Sequence, residues 1–284
     1  MKKMKFYMKT KDILTDKNIS DSRIVAIADL HYIRSLGKDF LDAITEKIKS
    51  LSPRYICFLG DLVDDDSREV IEWLNNLAKI APVFFAFGNH DVTRFAPAKG
   101  EVVETHLTPE MISEISNIDN LEMLNNGDIS TRDGFSFAGL PFYEVFEVDD
   151  FVKKVNGCDL LLDPEHFNSM LVHNPWIMKE EEFRKLNPEY HKTDLILSGH
   201  THNGLVPHSV DKIVPGNRGL YTSIQGVLPD MTRGNVSGNS DNYSYDGIIV
   251  PALRTVPDRI PGGKTINNTV YPPAIELVRV LKRK

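Results

Sequence analysis

Five short segments hold the side chains that could do chemistry in this 284-residue chain. They are Asp29-Leu30-His31, Gly60-Asp61-Leu62-Val63-Asp64, Gly88-Asn89-His90-Asp91, His173-Asn174 and Gly199-His200-Thr201-His202. Carboxylate oxygen, amide oxygen and imidazole nitrogen together suit Mn, Fe, Zn or Co better than Ca or Mg, which prefer all-oxygen shells. Asp29, His31, Asp61, Asn89, His173, His200 and His202 are seven candidate ligands, too many for one ion. They suit two divalent metal ions sharing one carboxylate. Such a pair activates a bridging water and clamps the oxygens of an in-line displacement at phosphorus.

The elements that must position these groups are legible from periodicity. Residues 24–28 (IVAIA), 55–59 (YICFL) and 83–87 (VFFAF) are short apolar runs of the kind found in strands buried on both faces. Between them, Phe40, Leu41, Ile44, Ile48 and Leu51, then Val70, Ile71, Leu74, Leu77 and Ala78, repeat at helical spacing. This βαβαβ rhythm predicts a parallel sheet. Further strands are expected near 129–132, 135–140, 169–172, 194–197 and 273–281, and a short helix near 109–116. Residues 95–107 and 235–247 read as surface loops, the second a mobile Gly/Asn/Ser/Tyr stretch. Each of the five segments follows a predicted strand. Ligands of open α/β sheets gather at the carboxyl ends of strands, so the five should converge on one crevice.

Composition narrows the classes. Forty acidic against 33 basic residues leave net −7, which lacks the positive field of a protein that coats nucleic-acid duplexes. Two cysteines, Cys57 and Cys158, cannot build a disulfide framework. Residues 1–12 are basic without an apolar stretch behind them, and no run approaches a spanning helix, so a cytoplasmic location is expected. Peripheral membrane contact stays compatible with this, and oligomeric state is open. The absence of repeats or a linker favours one domain over 1–284, with a motif core at 24–205 and C-terminal strands and loops at 206–284.

Taken in order, the five segments resemble the motif set of the calcineurin-like metallophosphoesterases. The resemblance implies a four-layer α/β/β/α sandwich of two mixed sheets flanked by helices. It implies one metal held by Asp29, His31, Asp61 and His202, and a second held by Asp61, Asn89, His173 and His200, with Asp61 bridging. By the same resemblance His90 is the general acid that protonates the leaving group, and Asp64 orients His90. The ions would be Mn, with Fe, Zn or Co as alternatives, and would turn a shared water into the attacking hydroxide. Residues 219–221 (GLY), Pro272-Pro273 and Ile275-Glu276-Leu277 are similar to a bacterial phosphodiesterase-like branch that is often membrane-associated. Asn203 stands where that branch often has Gly.

Asp65 occupies the position at which the serine/threonine phosphatases carry a phosphate-clamping arginine. The expected substrate is therefore a small molecule with a phosphodiester or pyrophosphate bond. The alternatives are a phosphomonoesterase acting on a nucleotide or small molecule, or a non-catalytic scaffold of the same fold. Arg94 is a candidate contact to substrate phosphate, against a solvated loop arginine. Ser67 reads as an N-cap for the helix that follows. His106, His166, His191 and His208 read as surface residues, with His208 the one expected nearest the site. Phe142, Tyr143, Phe146, Phe151 and Trp176 are candidate walls. A P-loop at Gly263-Lys264-Thr265 is rejected, because its first glycine would fall on Asp258.

Overall fold

The computed structural model describes residues 4–96, 101–142, 148–158, 160–214, 216–219, 230–255, 266–267 and 269–283; for 94–96, 101 and 148–151 it describes the backbone alone. One six-stranded sheet has the order β1 (Tyr7–Thr15), β14 (Ala274–Lys282), β2 (Ser22–Ile27), β3 (Tyr55–Phe58), β4 (Val83–Phe85), β7 (Leu121–Met123). The other has the order β12 (Gly234–Ser240), β13 (Tyr243–Ile249), β11 (Leu195–Ser198), β10 (Phe167–Leu171), β9 (Phe135–Gly139), β8 (Ile129–Arg132). Both are mixed: β2, β3, β4 and β7 pair parallel while β14 runs antiparallel to β2. In the second sheet β9, β10, β11 and β13 are parallel, and β8 and β12 are antiparallel edges.

The sheets pack face to face. Ala26, Tyr55, Cys57 and Phe84 of the first interlock with Phe135, Phe137, Phe167 and Leu197 of the second. Helices α1 (Lys38–Ser50), α2 (Glu69–Ala78) and α3 (Pro109–Ser116) cover the outer face of the first sheet, burying Ile44, Ile48, Leu74 and Ile115 against Val25, Ile56 and Phe85. Around α4 (Val148–Asn156) and α5 (Glu180–Phe183), Val155, Phe183, Leu186 and Tyr190 cover Met170 and Ile196 on the other side. The result is the expected α/β/β/α order. The fully apolar runs of β3 and β4 are what such layering requires, since both faces are buried.

Three expectations are corrected, and one strand is found where none was expected. Residues 235–247 form the β12–β13 hairpin rather than a loop. Tyr243 and Tyr245 alternate inward, with ring centroids 5.1 and 4.4 Å from Phe183, and the Tyr245 hydroxyl donates to the Met178 carbonyl at 2.8 Å. Tertiary packing overrides Gly/Asn/Ser composition here. The stretch after Asp91 is partly paired, as β5 (Arg94–Ala96) against β6 (Glu101–Val103). The basic start of the chain is a nine-residue strand in register with β14. Finally, α2 is capped at Arg68, with no side-chain cap, and Ser67 is buried instead.

Candidate metal centre

The five segments do meet, where β2, β3 and β4 of one sheet and β10 and β11 of the other reach their carboxyl ends. Backbone bonds splice the first two: the amides of Asp29 and His31 donate to the carbonyls of Gly60 and Asp61 at 3.0 and 2.9 Å. Gly199 donates to the His173 carbonyl at 3.0 Å, joining the last two. Glycine is required at the turns. Gly60 has φ +88°, and a Cβ there would lie 2.4 Å from the Gly88 nitrogen; one on Gly88 would lie 2.3 Å from Asp61 Oδ1. Asp29, His31, Asp61, His200 and His202 all take left-handed backbone, with φ of 54°, 44°, 58°, 70° and 48°. Non-glycine residues seldom do so, and clusters of them mark sites where function sets the backbone.

Asp29, His31, Asp61 and His202 bring one ligand atom each within 4.8 Å of one another, and Asp61, His173 and His200 do the same. Asp61 belongs to both groups. Its Oδ2 lies 3.4 Å from His31 Nε2 and 3.3 Å from His173 Nε2. Asn89 Oδ1 joins the second group, 3.1 Å from His173 Nε2 and 2.9 Å from His200 Nδ1. Imidazole nitrogens also face each other, His31 Nε2 to His202 Nε2 and His173 Nε2 to His200 Nδ1, each at 3.2 Å. Two lone pairs aimed at one point satisfy nothing unless a proton or a cation lies between them, so this donor set fits divalent metal ions in both halves.

The electrostatics carry the same demand. Burial opposes charge on His31 and His173, yet Asp61, with Asp64 and Asp29, raises His31 to about 9, and Asp61 with Asp29 raises His173 to about 9. Burial, with Asp61 adding to it, pushes Asp29 up to about 7. Burial also opposes charge on Asp61, but His173 and His31 hold it well below the usual carboxylate range. Burial and the neighbouring His31 lower His202 to about 3, and burial with His173 lowers His200 strongly. Each half thus sets its buried carboxylates beside one imidazole that is raised, His31 or His173, and one that is lowered, His202 or His200.

The rear nitrogens differ. His173 Nδ1 donates to the Leu59 carbonyl at 2.5 Å and His31 Nδ1 to Asp64 Oδ1 at 2.9 Å, which fixes their tautomers and leaves Nε2 for the centre. His200 Nε2 and His202 Nδ1 are buried with no hydrogen-bond partner among the described residues, and those rings are held instead by contact with their neighbours, His202 stacked on His31 at 4.9 Å and His200 against His173 at 5.0 Å.

His90 lies beside this centre. Its Nδ1 is 2.8 Å from Asp64 Oδ1, and its side chain is 41% exposed where that of His173 is 0%. The expected Asp64–His90 contact is therefore present, and Asp64 serves His31 as well. Phe142 stands against the second half, with ring centroids 6.0 Å from His173 and 6.3 Å from His200.

Other expectations fall elsewhere. The Arg94 side chain, Tyr143, Phe146 and the Phe151 side chain lie outside the described residues. Trp176 packs with the outer-layer core, Lys179 Nζ lying 3.4 Å above its ring. His208 is not on the surface: it is buried, stacked on Tyr7 at 4.0 Å. His166 and His191 are half-buried, and His106 is exposed.

Two residues given no role by sequence support the centre. Asp91 is buried, and its carboxylate accepts from the amides of Asp61 at 2.7 Å, Gly88 at 2.8 Å and Leu62 at 2.9 Å, tying the turns after β3 and β4 together. Burial and the charge of Asp61 raise it to about 6. Its place directly after Gly88-Asn89-His90 was the available signal. Arg254 is buried behind Asp64, in a segment with no motif.

A sandwich of two mixed sheets with an Asp/His-rich centre at the strand ends defines a metal-dependent phosphoesterase class. The family model described as calcineurin-like phosphoesterase matches residues 22–204, well over half of the chain, and the chain belongs to that family. It is 27% identical over 202 residues to an uncharacterized metallophosphoesterase of Helicobacter pylori strain J99, covering 70% of this chain and 49% of that protein. It is 35% identical over 77 residues to the UDP-2,3-diacylglucosamine pyrophosphatase LpxG of Chlamydia muridarum, covering 26% of this chain and 23% of that one. The phosphopantetheinyl hydrolase PptH of Mycobacterium tuberculosis superposes with TM-score 0.40 at 14% identity, covering 92% of this chain and 96% of that one. The chain spans about half the length of the H. pylori relative. No helix among the described residues is long and apolar enough to cross a membrane.

Proposed function

We propose that this chain, as one domain, is a two-cation phosphoesterase that hydrolyses a phosphodiester or pyrophosphate bond in a small molecule. The observation that carries the reading is the sharing of Asp61 by two donor groups, with a half-exposed histidine held beside them. Asp29, His31, Asp61 and His202 would hold one cation, and Asp61, Asn89, His173 and His200 the other. When bound, the cations supply Lewis acidity toward phosphate oxygens and a water acidic enough to attack near neutral pH. Mn is the proposed metal, with Fe, Zn or Co as alternatives.

His90 gives its Nε2 proton to the departing oxygen. Asp64 accepts from His90 Nδ1, which keeps that tautomer and stabilises the charged ring before transfer. Asp29 also accepts from the His200 amide at 3.1 Å, so one carboxylate fixes the last ligand turn as well as offering a ligand atom. The preference for a diester or pyrophosphate rests on Asp65. Its carboxylate accepts from the amides of Arg34 and Ser67 and adds negative charge where a dianion clamp would need positive charge. The pyrophosphatase named among the relatives supports the same bond type.

The test is a panel of bis-aryl phosphate, monoaryl phosphate and a nucleoside-diphosphate sugar with Mn-loaded protein. Turnover of the diester or the pyrophosphate above the monoester is expected. Two bound equivalents of Mn with no turnover of any of the three would sink the enzyme reading. Fractionation of cells into soluble and membrane pools tests the cytoplasmic expectation.

A further inference from the structure

Asp64 has an unusual load. Its Oδ1 alone accepts from two rings, His31 Nδ1 at 2.9 Å and His90 Nδ1 at 2.8 Å. One oxygen bonded to two imidazoles leaves the carboxylate free to rock about its last torsion unless something holds Oδ2. Among the described residues the guanidinium of Arg254 faces Oδ2, with Nη1 at 3.8 Å, an ion-pair distance rather than a hydrogen bond. The same Nη1 donates to the carbonyl of His31, the residue at φ 44°. Arg254 is only 4% exposed. Its own position is fixed by backbone: the amides of Leu253 and Arg254 donate to the carbonyls of Ala28 and Asp29 at 2.9 and 3.1 Å, running alongside the first ligand segment.

We infer that Arg254 is a positioning residue for the acid, steadying Asp64 so that His90 stays aligned with the leaving oxygen. The inference rests on the reading of His90 as the acid. A guanidinium suits the task because its planar fork can hold a backbone carbonyl and a carboxylate at fixed angles, where an ammonium is a point charge. Arg254 lies beyond residues 22–204, so this support comes from the part of the chain outside the family match. The chemical consequence is specific. Loss of alignment at His90 matters little when the leaving group departs without a proton, and much when it needs one.

The experiment compares bis-4-nitrophenyl phosphate with diphenyl phosphate on the Mn-loaded full chain, for wild type, His90→Ala, Arg254→Gln and the double variant. Arg254→Gln is expected to lose roughly 10–100-fold on diphenyl phosphate, the usual span for a residue supporting a working ligand. It should lose several-fold less on the nitrophenyl ester and keep both equivalents of Mn. In the His90→Ala background the same change should cost no more than about twofold, within ordinary additivity error. Equal losses on the two esters, additive losses in the double variant, or loss of Mn would overturn the inference, because each describes a strut for the His31 backbone alone. If His90→Ala itself shows no leaving-group dependence, the acid reading falls first. Steep dependence for His90→Ala with a flat response for Arg254→Gln sinks only the positioning role. Should Arg254→Gln fail to fold, Arg254→Lys carries the same comparison, with a smaller loss in the same direction.

Discussion

Two buried clusters of ionisable groups share the segment 200–206, and they are built on opposite principles. At the candidate metal centre like faces like: ring nitrogens meet at 3.2 Å, and Asp61 sits among histidines that must be charged to balance it. The second cluster joins β1 and β14 to the turns after the last ligand. There Asp211 accepts from Tyr7 at 2.9 Å, pairs with Lys9 at 3.1 Å and takes the Arg233 guanidinium. Lys9 also donates to Asn203 at 3.3 Å and stands in register with Glu276. Cations and anions alternate, so this second cluster nearly balances itself. The contrast separates a buried polar group that fastens a fold from one that waits for an ion: the first pairs opposite charges, and the second gathers donors of one kind.

Breaking the shared carboxylate should give the largest effect. Asp61→Asn is predicted to lower occupancy of both cations and abolish measurable turnover, read by metal analysis beside a diesterase assay; an unchanged two-metal stoichiometry contradicts the shared role. Next comes His90→Ala, predicted to lose about 10²–10⁴-fold in turnover with fold and metal content intact. Lost metal in that variant would make His90 a ligand.

The second cluster should answer in stability instead. Asp211→Ala leaves Lys9 and Arg233 without their carboxylate and is predicted to cost about 3–5 kcal/mol in denaturant unfolding, the range for breaking a buried pair. Its folded fraction should still bind two equivalents of metal. A variant that kept its stability but lost metal would erase the distinction between the clusters.

The smallest predicted effect is on pH dependence. Burial pushes the Glu276 carboxyl up to about 7, with the nearby Lys9 acting in the opposite direction. A folded-state value above the unfolded one means the native state holds the proton more tightly. This contribution is therefore present below about 4.5 and lost as pH rises through about 7. Glu276→Gln, which stays neutral, should lose less stability than wild type between those limits. Parallel stability curves for the two proteins would refute the assignment.

What could be read in advance followed chemistry and local period. The strands before Asp29, Asp61 and Asn89 are apolar runs long enough to be recognised, and those before His173 and His200 carry shorter ones. The short helix expected near 109–116 is present as Pro109–Ser116, where the structure shows the Thr108 hydroxyl accepting from the Met111 amide. The misses share a cause. Tyr7–Thr15 is an edge strand with Lys9, Lys11 and Asp12 along it, and it exists because β14, more than 250 residues away, offers its register. Tyr243 and Tyr245 look like loop residues until Phe183 is placed beneath them. His208 reads as surface, yet Tyr7 stacks on it.

The sequence by itself determined which side chains reach the centre, because residue type, glycine-led turns and strand ends are local properties that survive without coordinates. Tertiary structure alone decided that Asp64 serves His31 as well as His90, that Asp91 ties together the turns after β3 and β4, and that Arg254 lies behind Asp64. Those relations depend on where separate strands end relative to one another, and packing of two sheets across a common core sets that distance.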